Sequence, residues 1–451
     1  MNNTYDFTKG NISKQMIFFS LPIFFTNLLQ TSYQFIDSLW VGNLLGSGAL
    51  GAISLAAPVI FTVLSFIIGV NSATLTVLSQ RKGSNDENGL IESLNAFVVV
   101  LTVLSVTFGI IGFIFTDPIL KFLGTPDDIF ESTKVYLRIN FLGILFLFGY
   151  NFIGTVLRAL GDSKTPIRFV LAAVILNAGL DPLFIAYFDW GIEGAAYATI
   201  IAQGAALLYG IIYSVWKSKV PFTMPHWPDA KETKRITKLG VPAGLQMMTI
   251  SAGVTAIMAI VASFGTQVVA GFGAAQRLDR VIMLPAFTLG AAVNSMAGQN
   301  IGSGKWDRVA AISKDGIILI LSVSFTISAI IFFSAESLVS LFINDAETIA
   351  FGTTYLKTIA FFYPFLGINF VLNGVVKAAG AMVQVLILNI ISFWILRVPL
   401  TYLLSEWLGA NGIAYGIGIS FILSSIFAVA YYRYGKWRDI EIFEQEEAVE
   451  K

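Results

Sequence analysis

Residues 90–115 read LIESLNAFVVVLTVLSVTFGIIGFIF, an apolar run that contains a single carboxylate, Glu92. At 1.5 Å per helical residue such a run extends about 39 Å, which is enough to cross a hydrocarbon core of about 30 Å. Eleven more runs of this kind occur, at residues 16–40, 50–78, 131–156, 165–188, 192–215, 239–264, 268–297, 309–333, 350–376, 381–404 and 410–434. The sequence therefore predicts an all-α integral membrane protein with twelve transmembrane helices.

The composition supports a membrane protein and excludes several kinds of site. Of the 451 residues, 56% are hydrophobic and 12% are charged, whereas about 25% of an ordinary soluble domain is charged. The 28 basic and 28 acidic residues cancel, so the chain lacks the basic excess that nucleic-acid binding needs. It contains no cysteine, which excludes disulfides and thiolate metal sites. We expect no enzymatic activity, no cofactor and no resident metal.

The twelve runs divide into two lobes of six, and the lobes repeat each other. We predict a first lobe at 1–216, a linker at 217–238, a second lobe at 239–435 and a tail at 436–451. Landmarks recur at an offset of 219 residues: Gln80 as Gln299, Tyr136 as Tyr355, and Arg158-Ala159-Leu160-Gly161 as Lys377-Ala378-Ala379-Gly380. Parallel repeats of this kind are typical of transporters. The alternative is a duplication that only enlarges a helical bundle.

The distribution of Lys and Arg predicts the orientation of the chain. If the N-terminus is cytoplasmic, 21 of the 28 basic residues fall in cytoplasmic segments, including the whole linker 217–238 and the tail. Cytoplasmic loops of membrane proteins carry such an excess. We therefore expect both termini on the cytoplasmic side, as an even number of spans requires.

The candidate membrane-embedded carboxylates of the first lobe are Asp37 in span 1 and Asp181 in span 5. An ionisable side chain at mid-membrane costs at least about 2.5–3.5 kcal/mol, so it marks a pathway or a coupling site by default. Asn177 precedes Asp181 by four residues and shares its helical face, and Tyr33 and Thr199 can complete a polar pocket. Two facing carboxylates cannot both ionise cheaply, which predicts a proton site. The alternative for Asp37 is a position at the outer end of span 1, in contact with water.

The second lobe carries cations instead of this acidic set. Arg277 and Arg280 lie in span 8, Lys357 in span 10 and Arg397 in span 11, and Asp279 is the expected counter-charge of the two span-8 arginines. These cations can face the cavity or form an ion-pair cluster that locks helices together. The second-lobe counterparts of the four first-lobe polar residues are not ionisable; they are Ile257, Trp394, Val398 and Ile417.

Four segments together resemble the multidrug and toxic compound extrusion (MATE) family, closest to its DNA-damage-inducible (DinF-like) bacterial branch. They are Ser20-Leu21-Pro22-Ile23, Gln34-Phe35-Ile36-Asp37-Ser38-Leu39-Trp40-Val41-Gly42, Arg158-Ala159-Leu160-Gly161-Asp162-Ser163-Lys164-Thr165-Pro166 and the group Asn177, Asp181, Pro182. The resemblance covers essentially the whole chain. It implies the MATE-type transporter fold and a monomeric, cation-coupled antiporter in the bacterial plasma membrane that expels amphipathic, often cationic or aromatic drugs.

The family's site residues carry over where this sequence matches. The resemblance implies ion coupling at Asp37, Asn177, Asp181 and Thr199. It also implies a hinge at Pro22, a position proposed to bend when the site is protonated. We expect substrate contacts from Tyr33, Gln34, Asp37, Met247, Met248, Arg277 and Met283, since flexible methionines suit varied ligands.

The sequence departs from the sodium-coupled branch, which has carboxylates in spans 7 and 10. Here those spans contain no acid and span 10 offers Lys357, which favours H⁺ as the coupling ion and leaves Na⁺ at Asp37 and Asp181 open. One alternative function is a lipid-linked oligosaccharide flippase of the same wider superfamily, which would need the second-lobe cations to converge on one cavity. Another is a membrane transferase with a metal at Asp127 and Asp128, although those acids also suit the first turn of a helix.

Overall fold

A computed structural model of the chain describes residues 4–443, apart from the side chain of Gln34. The expected substrate contact from Gln34 and the last eight residues of the predicted tail therefore lie outside the described residues. Within the described range the chain folds into fifteen α-helices, with no strand, and these account for the twelve predicted spans.

The first lobe begins with a helix of 72 residues, α1 (Ile12–Gly83). At 1.5 Å per residue it would extend about 108 Å, more than three times the hydrocarbon thickness, so it has to supply two spans. It divides at Gly46, whose φ of 83° lies in the left-handed region that favours glycine. The other helices of this lobe are α2 (Glu87–Phe122), α3 (Asp127–Leu142), α4 (Ile144–Ala159), α5 (Lys164–Pro182) and α6 (Gly191–Trp216).

The second lobe follows the same plan with more interruptions. Its helices are α7 (Ala230–Ala262), α8 (Thr266–Ile282), α9 (Leu284–Gly302), α10 (Trp306–Val339), α11 (Ala346–Ala360), α12 (Tyr363–Ala378), α13 (Met382–Ile390), α14 (Val398–Leu408) and α15 (Gly412–Tyr434). In both lobes the fourth span is bent, by 48° between α3 and α4 and by 52° between α11 and α12. In both lobes the fifth span contains a π-helical segment, at Leu183–Tyr187 and at Ile391–Arg397.

Local signals explain where several helices begin. Helix α3 starts at Asp127 with two acids in its first turn, although Thr125 makes no capping hydrogen bond. At the equivalent place in the second lobe, Asp345 accepts hydrogen bonds from the backbone amide and the hydroxyl of Thr348. These bonds hold the pKa of Asp345 below its usual range. Helix α7 begins at Ala230, so the last nine residues of the predicted linker are helical.

Both ends of the described range pack at one end of the bundle, which we call the terminal face. It comprises residues 5–10, 80–83, 158–161, 295–308, 377–380 and 440–443. The amide of Tyr5 donates to the carbonyl of Gly161 at 3.0 Å, and Arg308 donates to the carbonyl of Phe7 at 2.9 Å. At the other chain end, Arg235 donates to the carbonyl of Ile442 at 3.0 Å. The two lobes are therefore in contact at this face.

Candidate functional site

The polar residues expected in the first lobe are buried on three adjacent helices. Helix α1 carries Asp37, α5 carries Asn177 and Asp181, and α6 carries Thr199. The exposed fractions are 7% for Asp37 and Thr199 and 0% for Asn177 and Asp181. The alternative in which Asp37 simply meets bulk water is therefore wrong for this conformation.

Two hydrogen bonds and the charge interactions of the carboxylates connect these residues. The Nδ2 atom of Asn177 donates to Oδ1 of Asp181 at 3.0 Å, one turn along the same helix. The hydroxyl of Tyr33 lies 3.4 Å from the backbone carbonyl of Thr199, which connects α1 to α6. Asp37 is close enough to Asp181 to interact with it electrostatically, and Tyr33 is close to both carboxylates. The structure thus brings together all five polar residues that the sequence singled out in this lobe.

Four buried oxygen atoms in this group have no hydrogen-bond partner: Oδ1 of Asp37, Oδ1 of Asn177, Oδ2 of Asp181 and Oγ1 of Thr199. Such a concentration is unusual, because burying an unpaired polar group costs about 1–3 kcal/mol. Each atom can accept a hydrogen bond or coordinate a hard cation. The group can therefore hold a proton shared between two carboxylates or a small cation bound by oxygen atoms. No cluster of three or more His, Cys, Asp or Glu side chains suited to a metal occurs within residues 4–443.

Further polar side chains continue from this group along α1 towards the terminal face. The Nε2 atom of Gln30 lies 3.4 Å from the hydroxyl of Tyr150 on α4. These two residues, together with Thr26, Asn151 and Arg158, line a small polar cavity inside the lobe. Thr26, Gln30 and Tyr150 were not among the predicted site residues. A signal exists, because Thr26, Gln30, Tyr33 and Asp37 are spaced four, three and four residues apart, which places them on one helical face.

The predicted hinge residue Pro22 lies within α1, where the backbone remains helical. The hydroxyl of Thr26 donates to the carbonyl of Pro22 at 2.7 Å. In the described part of α1, the residue with non-helical torsion angles is Gly46, not Pro22. A bend at Pro22 thus remains a prediction about another state of the protein.

The second-lobe carboxylate has different partners from those expected. Asp279 is buried and accepts hydrogen bonds from the hydroxyls of Tyr363 and Tyr355, the latter at 3.2 Å. Among the described residues it forms no ion pair with Arg277 or Arg280, and both arginines are exposed. The expectation that Asp279 is their counter-charge is therefore wrong.

The second-lobe cations do not share a common site. Arg397 is buried, with its guanidinium 3.7 Å from the ring centre of Phe393 and its Nε donating to Ser420 at 3.0 Å. Arg277 lies 5.8 Å from the ring of Phe342, and Lys357 lies 5.7 Å from the ring of Phe332. Arg277, Lys357 and Arg397 contact separate aromatic rings, so this arrangement does not support the flippase alternative.

The methionines proposed for substrate contact lie in the second lobe. Met247 and Met248 are half-buried on α7. Met283 separates α8 from α9 and lines a small apolar cavity together with Pro285 and Tyr363. Their contact with a substrate remains a prediction.

Comparison with known proteins gives consistent matches over the whole chain. The sequence model of the family named MatE matches twice, at residues 22–183 and 242–403. A probable multidrug resistance protein of Bacillus subtilis strain 168, YpnP, is 56% identical over 97% of this chain and 99% of its own length. The multidrug export protein MepA of Staphylococcus saprophyticus is 27% identical over 94% of each chain. A solved structure described as the outward-facing conformation of a multidrug resistance MATE family transporter superposes with a TM-score of 0.89 at 22% identity, covering 95% of this chain and 96% of that one.

Proposed function

The chain belongs to the MatE family, as its motifs predicted, and on this premise we propose that it exports amphipathic, often cationic or aromatic compounds in exchange for protons. Relatives are named multidrug resistance and multidrug export proteins, which supports drugs as the substrate class. Export by alternating access requires movement of two bodies, and we assign these to the lobes at 1–216 and 239–435. A transporter of this kind performs no covalent chemistry and needs no cofactor.

One observation carries the proton-coupling proposal. The unpartnered oxygens of Asp37, Asn177, Asp181 and Thr199 are gathered on three adjacent helices, and two of them belong to carboxylates. Two neighbouring carboxylates in a buried site repel each other when both are ionised, so binding one proton relieves the repulsion. The amide of Asn177 orients one carboxylate by its bond to Asp181, which leaves Asp37 as the group that gains and loses the proton.

The transport cycle follows from this assignment. In the outward-facing state a proton binds at Asp37, the pair loses charge, and α1 bends at Pro22. The first-lobe pocket then contracts and substrate is released. In the inward-facing state the proton leaves along the polar face of α1 that contains Thr26 and Gln30. The freed carboxylate then attracts the next cationic substrate. Moving one charge through 100 mV releases about 2.3 kcal/mol, which sustains roughly a fifty-fold gradient of a neutral substrate.

The proposal includes a location. We assign the terminal face to the cytoplasm and the chain, acting as a monomer, to the bacterial plasma membrane. The excess of Lys and Arg in loops at that face supports this orientation.

The test is transport of a fluorescent cation in proteoliposomes under an imposed pH gradient, comparing the unaltered chain with Asp37→Asn and Asp181→Asn. We expect proton-driven transport to be lost in Asp37→Asn. Proton-driven transport at the unaltered rate in that variant would refute coupling at this site.

Asp279→Asn is the matched control, because it makes the same chemical change at a buried carboxylate of the other lobe. Once corrected for the amount of folded protein, this variant should retain proton-driven transport. A Na⁺ gradient at equal pH on both sides should drive no transport; if it does, the coupling ion at Asp37 and Asp181 is Na⁺.

A further inference from the structure

Side-chain hydrogen bonds connect the two lobes at the terminal face. From α1 of the first lobe, Nε2 of Gln80 donates to the carbonyl of Ala378 at 2.6 Å. One turn earlier on the same helix, the hydroxyl of Thr76 lies 3.1 Å from the carbonyl of Lys377 and 3.0 Å from Oδ1 of Asn294, and shares its one proton between these two second-lobe acceptors. Both acceptor carbonyls belong to the last residues of α12 in the second lobe.

The reciprocal pair of bonds runs in the opposite direction. From α9 of the second lobe, Nε2 of Gln299 donates to the carbonyl of Ala159 at 2.9 Å, and the hydroxyl of Ser295 donates to the carbonyl of Arg158 at 2.8 Å. These acceptors are the last two residues of α4 in the first lobe. Every donor and every acceptor carbonyl lies 219 residues from its counterpart in the other pair, so the four bonds obey the pseudo-twofold symmetry of the repeat.

The acceptors explain why these bonds matter. The last four carbonyls of a helix have no partner within the helix and must find donors elsewhere. Here each lobe supplies donors to a helix end of the other lobe, and the donors Gln80 and Gln299 are only 5% and 2% exposed. When the lobes separate, the carbonyls of Ala378 and Ala159 lose these donors until water replaces them, whereas those of Lys377 and Arg158 still accept from the amides of Gly380 and Gly161.

The backbones are also in close contact at this place. A Cβ atom on Gly83 would overlap the backbone carbonyl of Gln299, and one on Gly302 would overlap that of Gln80. These glycines again lie 219 residues apart. The C-terminal ends of α1 and α9 are therefore in direct contact, which leaves no room for water between their backbones in this conformation.

We propose that Thr76, Gln80, Ser295 and Gln299 form a reciprocal hydrogen-bonded seal, and that all four bonds must break before the terminal face opens to the cytoplasm. These residues are positioning residues of transport, because they set the equilibrium between the two access states without contacting substrate or the coupling ion. The inference rests on the proposed alternating access of the two lobes.

The chain has no cysteine, so a single introduced thiol reports opening without background. Ser79 is suited to this because it is fully buried within the seal, with its Oγ 3.5 Å from Oγ of Ser295. In inside-out vesicles, a membrane-impermeant maleimide should alkylate Ser79→Cys slowly. Adding Gln80→Met removes one donor and should raise the alkylation rate about 2- to 12-fold, the equivalent of one net hydrogen bond. Gln299→Met removes the reciprocal donor and also the acceptor of the Phe7 amide, at 3.3 Å, so it should raise the rate at least as much, and the double variant should exceed either single variant.

Gln246→Met is the matched control, because Gln246 is a buried glutamine on α7 with no part in the four bonds. It should leave the alkylation rate unchanged. If neither seal variant raises the rate above this control, or if only one does, the reciprocal seal is refuted.

A cross-link tests whether the seal must open during transport. Ser79→Cys combined with Ser295→Cys should form a disulfide on mild oxidation and stop transport, with recovery after reduction. Transport at the full rate by cross-linked protein would overturn the proposal. The alkylation experiment uses no ion gradient, so if Asp37→Asn proves harmless, the coupling proposal fails while the seal is still judged by its own result.

Discussion

The buried carboxylate of the second lobe allows a quantitative test of what holds this lobe together. Asp279 on α8 is 6% exposed and accepts hydrogen bonds from Tyr363, at the bend between α11 and α12, and from Tyr355 on α11. Tyr363→Phe removes one donor and leaves a buried carboxylate oxygen short of a partner. A lost bond of this kind costs about 1–3 kcal/mol of unfolding free energy. We expect Tyr363→Phe to cost at least as much as Tyr355→Phe, whose bond is long.

The assay is equilibrium unfolding in mixed detergent micelles, followed by tryptophan fluorescence. Tyr402→Phe serves as the control, because Tyr402 is 54% exposed and forms none of the hydrogen bonds described for this carboxylate. Combining Tyr363→Phe with Asp279→Asn completes a double-mutant cycle, in which the two changes should be non-additive by about 0.5–3 kcal/mol. If Tyr363→Phe costs no more than Tyr402→Phe, Asp279 does not link these helices.

Three further predictions concern helix starts, helix packing and substrate contact. Asp345→Ala should lower the melting temperature at pH 7. This difference should shrink only as the pH falls below about 4, because the low pKa of Asp345 in the folded state keeps the cap ionised above that range. Melting curves of both proteins at pH 7 and pH 3 measure it. Gly412→Ala should destabilise the folded protein by about 1–3 kcal/mol, because its Cβ would overlap a backbone carbonyl of α14. Gly273→Ala should not, because a Cβ there meets nothing within 4 Å. Thermal unfolding of both variants measures the difference. Met248→Ala should raise the KM for an aromatic cation while the proton dependence of transport is unchanged, as proteoliposome kinetics would show.

The spans were predictable because hydrophobicity alone decides which segments enter a bilayer, but their interruptions were not. The apolar runs predict two separate helices on either side of Gly46. In the structure, helical turns continue through this segment and only Gly46 departs from helical torsion angles. The bends after α3 and α11 and the π-helical segments were not predicted, since an apolar run shows where a span lies and not how its backbone bends. Tertiary packing determines these features.

The candidate site was predictable in part, for a related reason. Asp37 and Asp181 stand out because a charge in an apolar run is costly. Gln30 and Tyr150 are neutral, and their contact joins two helices far apart in sequence. The expected pairing of Asp279 with Arg277 and Arg280 failed because residues one and two positions apart on a helix do not face each other. The actual partners come from other helices, which the sequence does not specify.

The proposed seal follows the internal repeat, whereas the candidate ion site does not. The offset of 219 holds for every donor, acceptor carbonyl and glycine of the proposed seal, where two lobes of similar shape must meet across a pseudo-twofold axis. The residue types are not repeated at the candidate ion site, where the counterparts of Asp37 and Thr199, at offsets of 220 and 218, are Ile257 and Ile417. A seal gains from symmetry because each half satisfies the helix ends of the other, whereas one ion site is enough to drive a cycle. A substitution of a seal donor should therefore have a partner in the other lobe whose replacement also promotes opening, and a substitution at Asp37 should have none.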